Sequence, residues 1–217
     1  MNHSQDLHVL LKGVGATSTQ VDGALSPVTD EFLFEKTIQG DREALEVLIN
    51  RHERSLFGLL VRLTNGDHHR ADDLFQETFL HAMRAGKTFD QKKKFKPWIT
   101  AIAVNLLRDD SRKCRVRREV AWDGGTGDSD SPGMPEPVSR DEGPYGGAER
   151  KDEERSVRDA LKGLTALERE VVLLHFFNRL TLVETAEVLN VPVGTAKSRL
   201  NAALTRLHKL LESKANL

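Results

Sequence analysis

The sequence predicts an all-α protein of two small helical domains joined by a flexible linker. Three observations lead there. Apolar residues recur with helical spacing over residues 30–118 and again over 149–217, with no strand-period segment of consequence. Between them, residues 119–148 are rich in Gly, Pro and acids and poor in aliphatic side chains, a composition that cannot bury enough apolar area to offset chain entropy. Two Thr-x-x-Glu capping boxes, Thr165–Glu168 and Thr181–Glu184, mark two helix starts close together in the second half.

Residues 1–29 carry scattered Gly, Ser and Thr and are expected to be a flexible tail. Leu7, Val9, Leu10 and Leu11 within it could form one helical turn. The first domain, 30–118, is expected to hold three or four helices. Asp41 can cap a helix running to about Leu63, with Ala44, Leu45, Leu48, Ile49, His52, Leu56, Leu59, Leu60 and Leu63 on its apolar stripe and Asn65-Gly66 as its stop. Asp67 can cap the next, which runs to about Ala85 and turns Ala71, Leu74, Phe75, Phe79, Ala82 and Met83 inward. Pro97 suits the first turn of a third long helix, where its missing N–H costs nothing. Ile99, Ile102 and Leu106 are expected to face inward there.

In the second domain, 149–217, the segment Thr181 to Leu211 has the layout of a helix-turn-helix. Asn190-Val-Pro-Val-Gly194 supplies the turn, and Thr195 opens the last helix. Ala186, Leu189, Val191, Ala196, Leu200, Leu204 and Leu207 are the expected core that locks the pair together.

Composition sets the class. The single cysteine, Cys114, excludes an intramolecular disulfide and any multi-cysteine metal site, which suits a reducing cytoplasm. No apolar run approaches the roughly 20 residues that span a bilayer, and the N-terminus lacks the pattern of a signal peptide. No HExxH, Walker A, G-x-S-x-G or dinucleotide fingerprint is present, so a non-enzyme without metal or cofactor is expected. The net charge is −1, but it is unevenly spread. Arg84 to Arg118 holds 12 Lys/Arg against 3 Asp/Glu, whereas Asp30–Glu77 carries −5 and Glu119–Arg155 carries −7. Phosphates respond to the local field, so the basic block outweighs the total.

That block interleaves rings with cations. Phe89, Phe95 and Trp98 can stack on unpaired bases, and Lys92, Lys93, Lys94 and Lys96 can hold phosphates. Phe89 and Trp98 can equally be core residues; Phe95, set between lysines, is harder to bury. In the last helix the first turns present Thr195, Lys197, Ser198 and Arg199. Lys197 suits a phosphate oxygen, Arg199 can donate in parallel to guanine O6 and N7, and Ser198 can bond base or backbone. The free N–H groups near Gly194 and Thr195 add partial positive charge. Earlier in the chain, Asp73, Gln76, Glu77 and Leu80 fall at i, i+3, i+4 and i+7 and form a polar ridge with one apolar tip, either a solvated face or a docking surface.

The motif Gly194-Thr-Ala-Lys-Ser-Arg-Leu200, after Thr181-Leu-Val-Glu-Thr-Ala-Glu-Val-Leu189, resembles the −35 reading domain of extracytoplasmic-function sigma factors, in the sigma subunit family of bacterial RNA polymerase. Ala71-Asp-Asp-Leu-Phe-Gln-Glu-Thr-Phe-Leu80 resembles that family's polymerase-docking helix. Phe89-Asp-Gln-Lys-Lys-Lys-Phe-Lys-Pro-Trp98, with Ile99 to Arg112, resembles its promoter-melting and −10 reading segment. The resemblance covers 30–118 and 149–212. It implies a cytoplasmic initiation factor that binds core RNA polymerase and directs it to promoters. The Asp73, Gln76, Glu77, Leu80 ridge would meet the polymerase clamp. The loop before the third long helix would capture a flipped −10 base, with Asn105, Asp109 and Arg112 facing that strand, although Asn105 could instead bond a neighbouring helix. The family commonly has an anti-sigma partner. The acidic linker would thread the polymerase cleft or serve as a plain tether.

Two departures stand out. Arg179 occupies a place where the family often has glycine, and Asn201-Ala202-Ala203 replaces a stretch that is usually more basic. Two other classes stay open on sequence alone: a stand-alone dimeric regulator, which leaves residues 71–98 without a purpose, and an adaptor that uses the acidic helix for protein contacts only.

Overall fold

The computed structural model describes residues 28–122 and 159–215, with side chains over 28–114 and 159–211. Tail residues 1–27 and linker residues 123–148 therefore lie outside the described residues, and with them the turn expected around Leu7 to Leu11. Among the described residues every regular element is helical. The chain divides into two units, Met1–Leu60 with His69–Thr126 and Val61–His68 with Gly127–Leu217.

The first unit opens with α1, Asp30–Ile38, a helix the periodicity did not single out. Thr29 caps it, its hydroxyl accepting from the Phe32 N–H at 3.3 Å, and Asp30 and Glu31 complement the helix dipole in the first turn. Leu33, Phe34 and Thr37 turn inward. Helix α2, Arg42–Leu63, starts where Asp41 was expected to cap it: Asp41 Oδ1 accepts from the Ala44 N–H at 3.1 Å. Its buried stripe is the expected one from Ala44 to Leu60, His52 included; Leu63 is half-buried.

Asn65 and Gly66 both take left-handed backbone and end α2, the Gly66 N–H reaching the Val61 carbonyl at 2.8 Å. Helix α3 follows, His68–Ala85, burying Ala71, Leu74, Phe75, Thr78, Phe79 and Ala82. A 3-10 turn, Gly86–Thr88, passes so close to α1 that a Cβ on Gly86 would lie 2.6 Å from Ile38 Cδ1.

Helix α4, Phe95–Trp122, is longer than expected and continues four residues into the segment whose composition suggested a linker. Its inward face is also turned from the expected one. Ile99 is buried as anticipated, but Ala103, Val104 and Leu107 line the core, while Ile102 and Leu106 are half-buried. The inward face follows the helices packed against α4, α1 at Phe95 and Trp98 and α3 at Asp110, to which its own periodicity is blind.

In the second unit a helical turn at 159–162 leads to α5, Ala166–Val172. Helix α6 spans Leu182–Leu189 and α7 spans Val193–Ala215. Both predicted capping boxes form. The Thr165 and Thr181 N–H groups donate to Glu168 and Glu184 Oε2 at 2.8 Å, and the hydroxyls accept in return. The backbone bond from Thr165 is the main reason the Glu168 carboxyl titrates below its ordinary value. After α5 the chain widens into a π-helical turn, Leu173–Phe177. It is closed by Asn178 N–H to the Leu173 carbonyl at 2.8 Å and Leu180 N–H to the Leu174 carbonyl at 3.1 Å. Between them Arg179 sits at φ +56°.

Candidate nucleic-acid interface

The pairing of α6 with α7 is set by a helix end. Asn190 takes left-handed backbone at φ +53°, and the Val191 N–H returns to the Ala186 carbonyl at 3.0 Å, a tight stop that leaves Pro192 to start the next helix. The Pro192 carbonyl then accepts from Thr195 and Ala196 at 2.9 and 3.1 Å. Helix α7 thus begins at Val193, and Gly194 belongs to its first turn and not to the connecting turn as expected.

Ala196, Leu200 and Ala203 form the seam against the rest of the unit. Leu204, expected in the core, is exposed, because the seam steps by four and then three residues from Ala196 through Leu200 to Ala203. Ala203 is therefore no phosphate contact; only Asn201 and Ala202 of that triplet face outward. Thr195 and Arg199 flank the seam half-buried, and Lys197 and Ser198 are exposed. The Ser198 hydroxyl donates to the Thr195 carbonyl at 3.0 Å. A short, rigid two-helix unit thus carries these four side chains outward on one helix start, the arrangement a major groove can accept.

The aromatic residues of the first unit are distributed differently from the expectation. Phe95 is wholly buried, contrary to its lysine neighbours, and is not available to stack on a base. Helix α4 starts at Phe95 and turns that first side chain into the bundle. Its ring lies 4.9 Å from Phe34 and 5.3 Å from His52, centroid to centroid. Phe89 and Trp98, 4.7 Å apart, cover Phe34 from outside and remain half-buried. Each is thus partly packed in the core and partly open to solvent.

Lys92, Lys93 and Lys94 are exposed on a turn held by Asp90, whose carboxylate accepts from Lys92 N–H at 3.0 Å and whose carbonyl accepts from Lys93 N–H at 2.9 Å. Lys96, in the first turn of α4, is half-buried. A cleft of 210 Å³ separates this loop from α1, lined by Phe34, Ile38, Lys87, Phe89 and Gln91 among others.

Farther along α4, Asn105, Asp109 and Arg112 share one exposed side, with Asp109 and Arg112 paired at 3.3 Å. Asn105 is not an inter-helix amide. On α3, Asp73 and Glu77 are exposed and Gln76 and Leu80 are half-buried, opposite the buried face. Gln76 donates to Asp72 at 3.1 Å.

Sequence reasoning overlooked a cluster at the start of α1. Asp30 Oδ2 lies 2.8 Å from Nε2 of buried His52, and Asp30 Oδ1 accepts from Arg51 at 2.9 Å. These bonds, His52 first, hold the Asp30 carboxyl below the usual carboxylate range against the opposing effect of burial. Thr29-Asp-Glu ahead of Leu33 and Phe34 was the available signal.

Comparison with known proteins assigns both units. Residues 48–118 match Sigma-70 region 2, and residues 160–209 match Sigma-70, region 4. The RNA polymerase sigma factor NccH of Alcaligenes xylosoxydans xylosoxydans is 30% identical over 86% of this chain and 97% of its own. The chain belongs to the extracytoplasmic-function sigma factors. The ECF sigma factor SigM of Mycobacterium tuberculosis is 31% identical over 84% of this sigma factor and 85% of its own length. A solved structure of the sigma factor RpoE in complex with the anti-sigma factor NepR, from Bartonella quintana, superposes with a TM-score of 0.61 at 25% identity, covering 78% of this sigma factor and 98% of RpoE. The activity that accompanies these two regions is promoter-specific transcription initiation with RNA polymerase. No group of metal-ligating side chains occurs among the described residues of the sigma factor, and none of its described helices is long and apolar enough to cross a membrane.

Proposed function

We propose that three surfaces divide the work of this sigma factor. The α3 ridge of Asp73, Gln76, Glu77 and Leu80 docks on core RNA polymerase. The loop bearing Lys92, Lys93 and Lys94, together with the solvent edges of Phe89 and Trp98 and with Lys96, holds the unpaired −10 strand, whose path continues along Asn105, Asp109 and Arg112. Thr195, Lys197, Ser198 and Arg199 read the −35 duplex. An anti-sigma partner holds the protein until a signal arrives, and the protein acts in the cytoplasm without chemistry of its own.

The observation that carries this reading is the start of α7. Three residues of its first turns go into the core, while the four polar ones stay outward on a unit stiffened by two capping boxes. A helix so presented is suited to base edges and phosphates. The test is run-off transcription with purified core enzyme on a pool of genomic promoters. Transcripts with a shared pair of upstream elements are expected. Protection of a palindromic site without polymerase would favour a dimeric regulator, and co-purification with core without any transcript would favour an adaptor.

A further inference from the structure

The long helix α4 begins without a cap of its own. Lys94, the residue before it, has no acceptor side chain, and a helix start leaves several backbone N–H groups without intrahelical partners. Pro97 has no N–H to satisfy, and the Phe95 N–H, at the first helical position, is one that no carbonyl of the helix itself can reach. The Phe95 N–H is met from 64 residues away: it donates to Glu31 Oε1 on α1 at 2.8 Å.

The same turn of α1 is fixed from behind. Its neighbour Asp30 grips Arg51 and His52 on α2, and the His52 ring packs against the Phe95 ring. Glu31 is thus held in place by a closed circuit through α1, α2 and α4. It meets the chain at the hinge between the lysine turn and α4, where the loop carrying Lys92, Lys93 and Lys94 ends. The other end of that loop is pinned at Phe89 by ring contacts with Phe34 and Trp98. Helix α1 itself lies ahead of the matched region-2 span, which begins at residue 48.

We propose that Glu31 is a positioning residue for promoter opening: its carboxylate caps α4 from a distance and so sets the pose of the lysine loop that engages the unpaired −10 strand. A carboxylate suits the task on two counts. It accepts an N–H bond, and it places negative charge at the positive end of a helix. The inference rests on the reading of loop 89–94 given above, and the test separates the two.

The experiment uses the full chain with purified core enzyme and compares Glu31→Ala, Glu31→Gln and the double variant Lys92→Ala/Lys93→Ala. Three quantities are read: core affinity, closed-complex affinity on promoter DNA, and the rate at which −10 thymines become permanganate-reactive. Glu31→Ala is expected to slow opening by about tenfold with the two affinities within about twofold, as fits the loss of one helix cap. Glu31→Gln keeps an acceptor oxygen and is expected to recover most of that rate. Exchange of the Phe95 amide should quicken by a similar factor in the alanine variant alone, with the Val104 amide unchanged.

If Phe95 and Val104 amides accelerate alike, Glu31 is a general fold support and the positioning role is overturned. It is equally overturned if the lysine double variant loses opening while Glu31→Ala keeps it, the loop reading then standing. If neither set loses opening, the loop reading itself fails and the proposal with it.

Discussion

Arg70 ties α3 to α4 through Asp110, its Nε donating to the carboxylate at 2.6 Å while Nη2 reaches Ser111 Oγ at 2.9 Å. The helix proposed to dock on polymerase is thus joined to the one proposed to follow the −10 strand. Both partners are about one-third exposed, so water screens the pair. A double-mutant cycle with Arg70→Ala and Asp110→Ala, followed by urea unfolding, is expected to give a coupling of about 0.5–1 kcal/mol. A coupling of zero would mean that the two helices hold their register without this bridge.

Arg199 is the most specific donor proposed on α7, because a guanidinium can bond guanine O6 and N7 together. Arg199→Ala is expected to cost about 1–3 kcal/mol on a −35 duplex and to relax preference at one position. Equal weakening on every duplex in a competition panel would reassign it to a phosphate.

The α3 ridge can be tested without disturbing the fold, since Asp73 and Glu77 point away from the core. Reversal of both to lysine is expected to weaken core polymerase binding by tenfold or more, through like-charge contact with a basic partner, while the helical circular dichroism stays the same. Undiminished co-elution with core would refute the assignment.

Arg179 carries a backbone strain that its sequence position foreshadows. Its φ of +56° follows the end of the π-helical turn, at a point where left-handed geometry favours glycine. Arg179→Gly is expected to stabilise the protein by about 0.5–1 kcal/mol, the relief of strain exceeding the added freedom of the unfolded chain. A lower melting temperature would show that the exposed arginine side chain contributes more than its backbone costs.

Acid should loosen α1. The Asp30 carboxyl is held below 3.8 by His52 and Arg51, so the folded state binds this proton less readily than the unfolded state does. Its stabilising contribution is complete above the unfolded value and disappears as pH falls through the lower folded value. The urea midpoints of the natural protein and Asp30→Asn should therefore differ at pH 5, draw together as pH falls below 3.8, and converge only below the lower folded value. A gap that persists in acid would locate the effect elsewhere.

Much of the fold was legible because it depends on local rules. The Asp41 cap, the Asn65-Gly66 stop and the boxes at Thr165 and Thr181 each act within a few residues, so spacing alone reveals them. The outward side chains at the start of α7 follow from the same short-range periodicity. Where reasoning failed, a distant partner decided. Phe95 sits among lysines in sequence yet is the most deeply enclosed ring of its cluster, because Phe34 and His52 close over it. Leu204 yielded its core place to Ala203, which continues the seam set by Ala196 and Leu200.

By itself the sequence determined two helical bodies, their caps, the outward polar ridge of α3 and the polar start of α7, since these arise from intervals of three or four residues along one helix. Only the tertiary structure decided the placement of α1. That helix buries Phe34 at the centre of the aromatic cluster and turns Glu31 toward the Phe95 amide, a partner 64 residues away. A carboxylate and a backbone N–H so far apart share no periodicity; only the packing of three helices brings them within bonding distance.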